Sequence, residues 1–172
     1  MAKRHYIDNA QFLQEMIAYT DKVKAAKEQK APKPRIPEYV GKCFMMIAEN
    51  LSHKPNFISY TFRDEMISDA IENCVVYADN FDPKKSNNPF AYFTQIVYYA
   101  FLRRIQREKK QLYVKYKSAE LSGAIDEFNQ LDSDGVNRQF ELYDNIAQYI
   151  ETYETARELK KKGVKNEAVH TG

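Results

Sequence analysis

NPFAYFTQIVYYAFLRRIQREKK, residues 88–110, decides the fold class. Asn88 suits a helix cap, and Pro89 suits the first helical position, where its missing N–H would be unpaired in any case. Phe90, Phe93, Val97, Phe101 and Ile105 then recur at steps of three and four, one apolar stripe turned towards a core. Tyr92, Tyr99, Arg103, Gln106 and Lys110 keep the same spacing along another stripe, joined by Arg104 and Arg107. Rings stack on unpaired bases and Arg or Lys neutralises phosphate, so rings followed by cations is the order a helix needs to grip a nucleic acid where strands separate. The same residues also suit an ordinary half-buried helix, because tyrosine bridges core and solvent and a basic last turn complements the helix dipole. On this helix alone both readings stand.

A chain of 172 residues with 44% hydrophobic content has apolar surface for one core of ordinary size, which predicts one domain plus tails. Five Gly, six Pro and a scarcity of β-branched runs argue against all-β and doubly wound folds and predict an all-α, compact helical bundle. No run approaches bilayer length, and the opening MAKRHYIDNAQ lacks the apolar centre of a signal peptide, so a soluble cytoplasmic chain with no membrane partner is expected. Cys43 and Cys74 sit among apolar residues at helical spacing, as small hydrophobes do, and neither a disulfide nor a metal is assigned to them. His5, His53 and His170 are scattered, and Glu65 and Asp69, one turn apart, have no His beside them. With no phosphate loop, nucleophile motif or metal-ligand spacing, the expectation is no catalytic residue, no metal, no cofactor and no enzyme.

The net charge of +2 conceals a strong partition. Residues 37–83 carry −5, residues 84–117 carry +8 with nine Lys and Arg against one carboxylate, and residues 118–158 carry −8. Adjacent blocks of opposite sign suggest separate faces for a polyanion and for a basic partner. With the hydrophobic pattern they divide the chain into an N-terminal helix and basic linker (1–36), a core (37–117), an acidic helical segment (118–158) and a disordered basic tail (159–172).

In chain order, Asp8 suits the cap of a helix with Phe12, Leu13, Met16, Ile17 and Val23 on one side. KVKAAKEQKAPKPR, residues 22–35, then loses the stripe and reads as an exposed basic linker, lying along DNA or simply solvated. Pro37 opens a helix with Val40, Phe44, Ile47, Ala48 and Leu51 as its core face, and Phe57, Ile58, Tyr60 and Phe62 follow in a loop that roofs the core. Thr61 and Asp64 have the spacing of a capping box before a buried face of Met66, Ile67, Ala70, Ile71, Cys74, Val75 and Ala78. The other face of that helix, Asp64, Glu65, Ser68, Asp69, Glu72 and Asn73, is an acidic ridge with only Arg63 near it in sequence, or else an ordinary wet surface. Beyond residue 110, the stretch 112–117 fits either helix or extended chain. Leu121, Ile125 and Phe128 suggest a short helix, and 132–135 a turn. Phe140, Tyr143, Ile146, Ala147, Ile150 and Tyr153 mark a last amphipathic helix that either packs on the core, the favoured reading, or offers its acidic face to a basic partner or to the basic helix as a shield.

EMISDAIENCVVYADNFDP, a short basic turn and then NPFAYFTQIVYYAFLRRIQREKK occur in the order and spacing of the second conserved region of bacterial sigma factors. The chain resembles most closely the compact late-transcription sigma factors of T-even-type tailed phages, over residues 40–153. The resemblance implies a sigma region 2-like core at 37–117. It also implies that Asp64, Glu65, Ser68, Asp69 and Glu72 contact the coiled coil of the largest catalytic subunit of host RNA polymerase core. Phe90, Tyr92 and Phe93 match the aromatics that capture a flipped base of an AT-rich promoter box, although periodicity puts Phe90 and Phe93 on the core stripe and ranks Tyr92 and Tyr99 beside them.

Two departures qualify the resemblance. The tryptophan pair that wedges the bubble edge in primary sigma factors is matched by Ile96 and Val97, leaving an apolar wedge. The final KKKGVKNEAVHTG replaces the hydrophobic, acidic peptide by which such phage factors bind a sliding clamp, so the sliding clamp is not carried over as a partner. The implied DNA-binding set is Phe90, Tyr92, Phe93, Ile96, Tyr99, Arg103, Arg104, Arg107 and Lys110, acting on promoter DNA in the cytoplasm of an infected bacterial host. The alternative is a helical nucleic-acid-binding or anti-sigma adaptor protein that opens no promoter.

Overall fold

Two side-chain caps start the helices that frame the core. Asp8 Oδ1 accepts from the Ala10 and Gln11 N–H groups at 2.9 and 3.2 Å, opening α1 (Asn9–Glu28). Asn88 Oδ1 accepts from the Ala91 N–H at 3.0 Å, opening α4 (Pro89–Leu121) with Pro89 in its first position. Between them lie α2 (Glu38–Ser52), started behind Pro37, then α3 (Arg63–Tyr77) and a 3-10 turn, Ala78–Asn80; α5 (Val136–Val169) follows. The computed structural model describes residues 6–123 and 136–169, with side chains at 6–123 and 145–161, and among them every regular element is helical. The fold is all-α.

The chain divides into two units, Met1–Gln106 and Arg107–Gly172, with the boundary inside α4. The core of the first is aromatic. Phe93 packs on Phe44 at 4.5 Å between ring centroids and stacks on Phe12 at 5.6 Å. Phe81 approaches Phe93 at 6.2 Å, and Phe57, from the loop after α2, roofs Phe101 edge-on at 5.1 Å. Val40, Ile47, Met66, Ala70 and Val97 are fully enclosed around them. Burying each large apolar side chain contributes about 1.5–3 kcal/mol.

α1 belongs to this core. Phe12 and Met16 have no exposed surface and Tyr19 almost none, so the N-terminal segment is not an appendage to a core beginning at residue 37. The helix also runs on to Glu28, well into the expected linker, because Ala25, Ala26 and Lys27 are good helix formers and no proline intervenes before Pro32. It ends in a Schellman pattern: the Ala31 N–H reaches Ala26 O at 2.8 Å, the Lys30 N–H reaches Lys27 O at 3.3 Å, and Lys30 takes φ 53°.

The Thr61–Asp64 capping box does not form. α3 starts at Arg63 behind Phe62, whose side chain makes no capping hydrogen bond but packs against the core beside Tyr60. Packing of Phe62 sets the entry, and Asp64 and Glu65 complement the dipole of the first turn. Met66, Ala70, Cys74 and Ala78 are buried as the pattern requires, Ile67 and Ile71 are half-buried, and Val75 is exposed.

In the second unit, α4 continues as helix through 112–117 to Leu121. Tyr113 stacks on Tyr153 at 4.4 Å and Tyr116 meets Tyr149 edge-on at 5.5 Å. The Tyr113 hydroxyl donates to Glu154 at 2.8 Å and the Tyr149 hydroxyl to Lys109 O at 2.9 Å. Ile150 is buried, Ile146 and Tyr153 are half-buried, and Ala147 is exposed. Leu121 stands exposed at the end of α4; Ile125, Phe128, the turn at 132–135 and the side chains of Phe140 and Tyr143 lie outside the described residues. α5 runs to Val169 through most of the expected disordered tail, since Lys160, Lys161 and Lys162 are good helix formers.

Candidate nucleic-acid interface

Along the first unit α4 shows two unlike faces, and its predicted binding residues are split between them. The apolar stripe is core: Phe93, Val97 and Phe101 are fully buried and Ile105 nearly so, while Phe90 is half-buried. Phe93 is therefore not a base-stacking residue in this fold, because every edge of its ring is taken by Phe12, Phe44, Phe81 and Tyr92. Phe90 points elsewhere. It meets Tyr6 edge-on at 5.7 Å, its N–H donates to Asn9 Oδ1 at 3.2 Å, and it borders a hollow of about 470 Å³ with Ile7 and Asn88. Two residues of helix turn it by roughly 200° from Tyr92.

The other face holds a shallow groove of about 220 Å³ lined by Tyr77, Tyr92, Gln95, Ile96, Tyr99 and Arg103. Tyr99 is half exposed, Tyr92 and Ile96 are half-buried, and Arg103 closes one end. Tyr92 is held by Phe81, edge-on at 5.3 Å, and by Phe93 at 5.0 Å. Its phenol is pushed up by burial first and then by the nearby Asp79 and Cys74, so it stays neutral. Tyr77 was missed in the sequence. The available signal was its place four residues after Asn73 and eight after Asp69, which puts all three on one stripe of α3.

That stripe faces α4. Arg104 Nη1 lies 3.2 Å from Asp69 Oδ2, with both side chains mostly buried, and Arg103 Nη2 donates to Asn73 Oδ1 at 2.8 Å. The acidic ridge is thus divided. Asp64, Glu65, Ser68 and Glu72 are exposed, whereas Asp69 turns inward to an arginine 35 positions away, which sequence-local counting of charges misses. Arg104 is correspondingly anchored rather than open to solvent, at 17% side-chain exposure. Arg107 and Lys110, both exposed, belong to the second unit.

No protein-family model and no curated protein matches the chain. What the groove can do follows from its own chemistry. Three phenol rings and an isoleucine offer flat apolar surface to a base of any identity, and a guanidinium at the rim suits a phosphate or a base edge. Among the described residues no three His, Cys, Asp or Glu side chains cluster to hold a metal, and no helix is long and apolar enough to cross a membrane. Cys43 and Cys74 are free and buried, and burial pushes their thiols up to about 11 and about 12, leaving them as neutral packing groups.

Proposed function

We propose that the chain is a late-promoter sigma factor of the T-even-phage type, acting in the cytoplasm of an infected bacterium. The exposed acids of α3, Asp64, Glu65 and Glu72 with Ser68, dock on host RNA polymerase core. The groove on α4 receives an unpaired base of an AT-rich promoter box, with Tyr92 and Tyr99 stacking and Arg103 meeting the backbone. The observation that carries this reading is the adjacency of two unlike faces on consecutive helices: an exposed carboxylate cluster along α3 and, where α3 ends at Tyr77, a tyrosine groove closed by an arginine. A protein that brings an enzyme to a separating duplex needs one surface for each. Ile96, which lines the groove, supplies an apolar edge where a wedge is required.

The test is transcription by purified core polymerase on AT-rich promoters with and without the protein, followed by permanganate footprinting of unpaired thymines. Initiation and footprints that depend on the protein support the reading; polymerase binding with no footprint rejects it. The engagement of Arg103 and Arg104 by α3 favours a second reading, an adaptor or anti-sigma protein that binds without opening DNA, and the footprint separates the two.

A further inference from the structure

The basic segment that precedes α2 is not simply solvated. Lys27, in the last turn of α1, places Nζ 3.5 Å from Asp79 Oδ2, and Lys33, between Pro32 and Pro34 of the connector, places Nζ 3.1 Å from Asp79 Oδ1. Asp79 sits in the 3-10 turn between Tyr77, which lines the groove, and Phe81, whose ring supports the groove residue Tyr92. Asp79 also lies close enough to the Tyr92 phenol to act on it electrostatically, so the cluster of three charges centres on a carboxylate neighbouring two of the groove's lining residues, Tyr77 and Tyr92.

Their exposure is unequal. The Asp79 side chain is 18% exposed, whereas those of Lys27 and Lys33 are 69% and 44% exposed, so the carboxylate lies beneath and the ammonium groups above it. Burial pushes the Asp79 carboxyl up, but the Lys33 hydrogen bond, a backbone hydrogen bond and the charges of Lys33 and Lys27 outweigh it and hold it below its ordinary value, fully ionised near neutrality. One carboxylate balances one ammonium, so the group keeps a unit of positive charge facing outward. Free lysine side chains lose considerable rotamer entropy when they bind an anion; here part of that loss has already been taken in folding.

We propose that Lys27 and Lys33, positioned by Asp79, form a phosphate clasp for the backbone of a single DNA strand whose bases enter the tyrosine groove. The inference rests on the groove's being a base-stacking surface, and it adds α1 and the connector to the interface. Asp79 is a positioning residue that touches the lysines and not the strand.

The test measures binding of the full-length protein to a fluorescently labelled, AT-rich single-stranded oligonucleotide by anisotropy across a salt series. Each phosphate neutralised on a single strand contributes about 0.7 to the slope of log affinity against log salt, so K27Q/K33Q, which removes the clasp's outward-facing unit of positive charge, is expected to lower that slope by at least about 0.7 and weaken binding about tenfold at low salt. K27R/K33R is expected to restore it. K22Q/K24Q, which removes the same charge from exposed positions on α1, is expected to leave the slope nearly unchanged. Equal behaviour of K27Q/K33Q and K22Q/K24Q would overturn the clasp alone, provided Y92A/Y99A still weakens binding. If the wild-type protein fails to bind, or Y92A/Y99A binds as it does, the groove reading fails and the clasp with it.

Discussion

Arg104 on α4 grips Asp69 on α3 at 3.2 Å, and this pair ties the helix expected to meet DNA to the helix expected to meet an enzyme. A charge-assisted hydrogen bond in a mostly buried setting is worth about 1.5–3 kcal/mol. Asp69→Asn should lower the unfolding free energy by that amount in urea titrations monitored by circular dichroism. An unchanged midpoint would show that the pair adds nothing.

The exposed part of the ridge should behave differently. Asp64 and Glu65 lie in the first turn of α3 with their side chains in solvent, so reversing them to Lys costs only the dipole interaction, about 0.3–1 kcal/mol each. Asp64→Lys with Glu65→Lys is expected to give a folded protein that no longer co-purifies with core polymerase. Retained co-purification would remove these residues from the docking surface.

Phe93 and Tyr99 should separate stability from recognition. Phe93→Ala empties the centre of the aromatic core and should cost about 3–5 kcal/mol by chemical denaturation. Tyr92→Ala with Tyr99→Ala should leave polymerase binding intact while open-complex formation falls at least tenfold, given roughly 1–3 kcal/mol for each lost ring–base stack. Normal footprints from the double variant would contradict the groove assignment.

The Tyr19 hydroxyl is buried without a hydrogen-bond partner among the described residues, in the field of Lys33 and Asp79. Since an unpaired buried hydroxyl carries a desolvation penalty of about 1–3 kcal/mol, Tyr19→Phe should hold or raise the melting temperature. A clear fall would mean that the hydroxyl is satisfied in solution.

Lys30 adopts φ 53° where α1 ends, a conformation that an L side chain reaches at a cost and glycine does not. Lys30→Gly is expected to stabilise the protein by roughly 1 kcal/mol, read from the denaturation midpoint. No gain would show that the flexibility glycine adds to the unfolded chain offsets the relief.

Much of the local architecture was legible in the sequence. Asp8 and Asn88 cap their helices as their positions suggest, and stripes at steps of three and four put Phe12, Met16, Phe44, Met66, Val97 and Phe101 inside. Periodicity also put Phe93 in the core, whereas the family resemblance had placed it at DNA. These features depend only on a side chain's phase about its own helix axis.

Tertiary structure decided what one helix offers another. Asp69 turning in to Arg104, Tyr77 joining Tyr92 and Tyr99 in one groove, and Lys27 and Lys33 converging on Asp79 are all pairings between segments distant in the chain. Phase about an axis says which way a residue faces but not what stands opposite. That depends on how the aromatic core around Phe12, Phe44 and Phe93 seats the helices against each other, and so on packing that no single stretch of sequence contains.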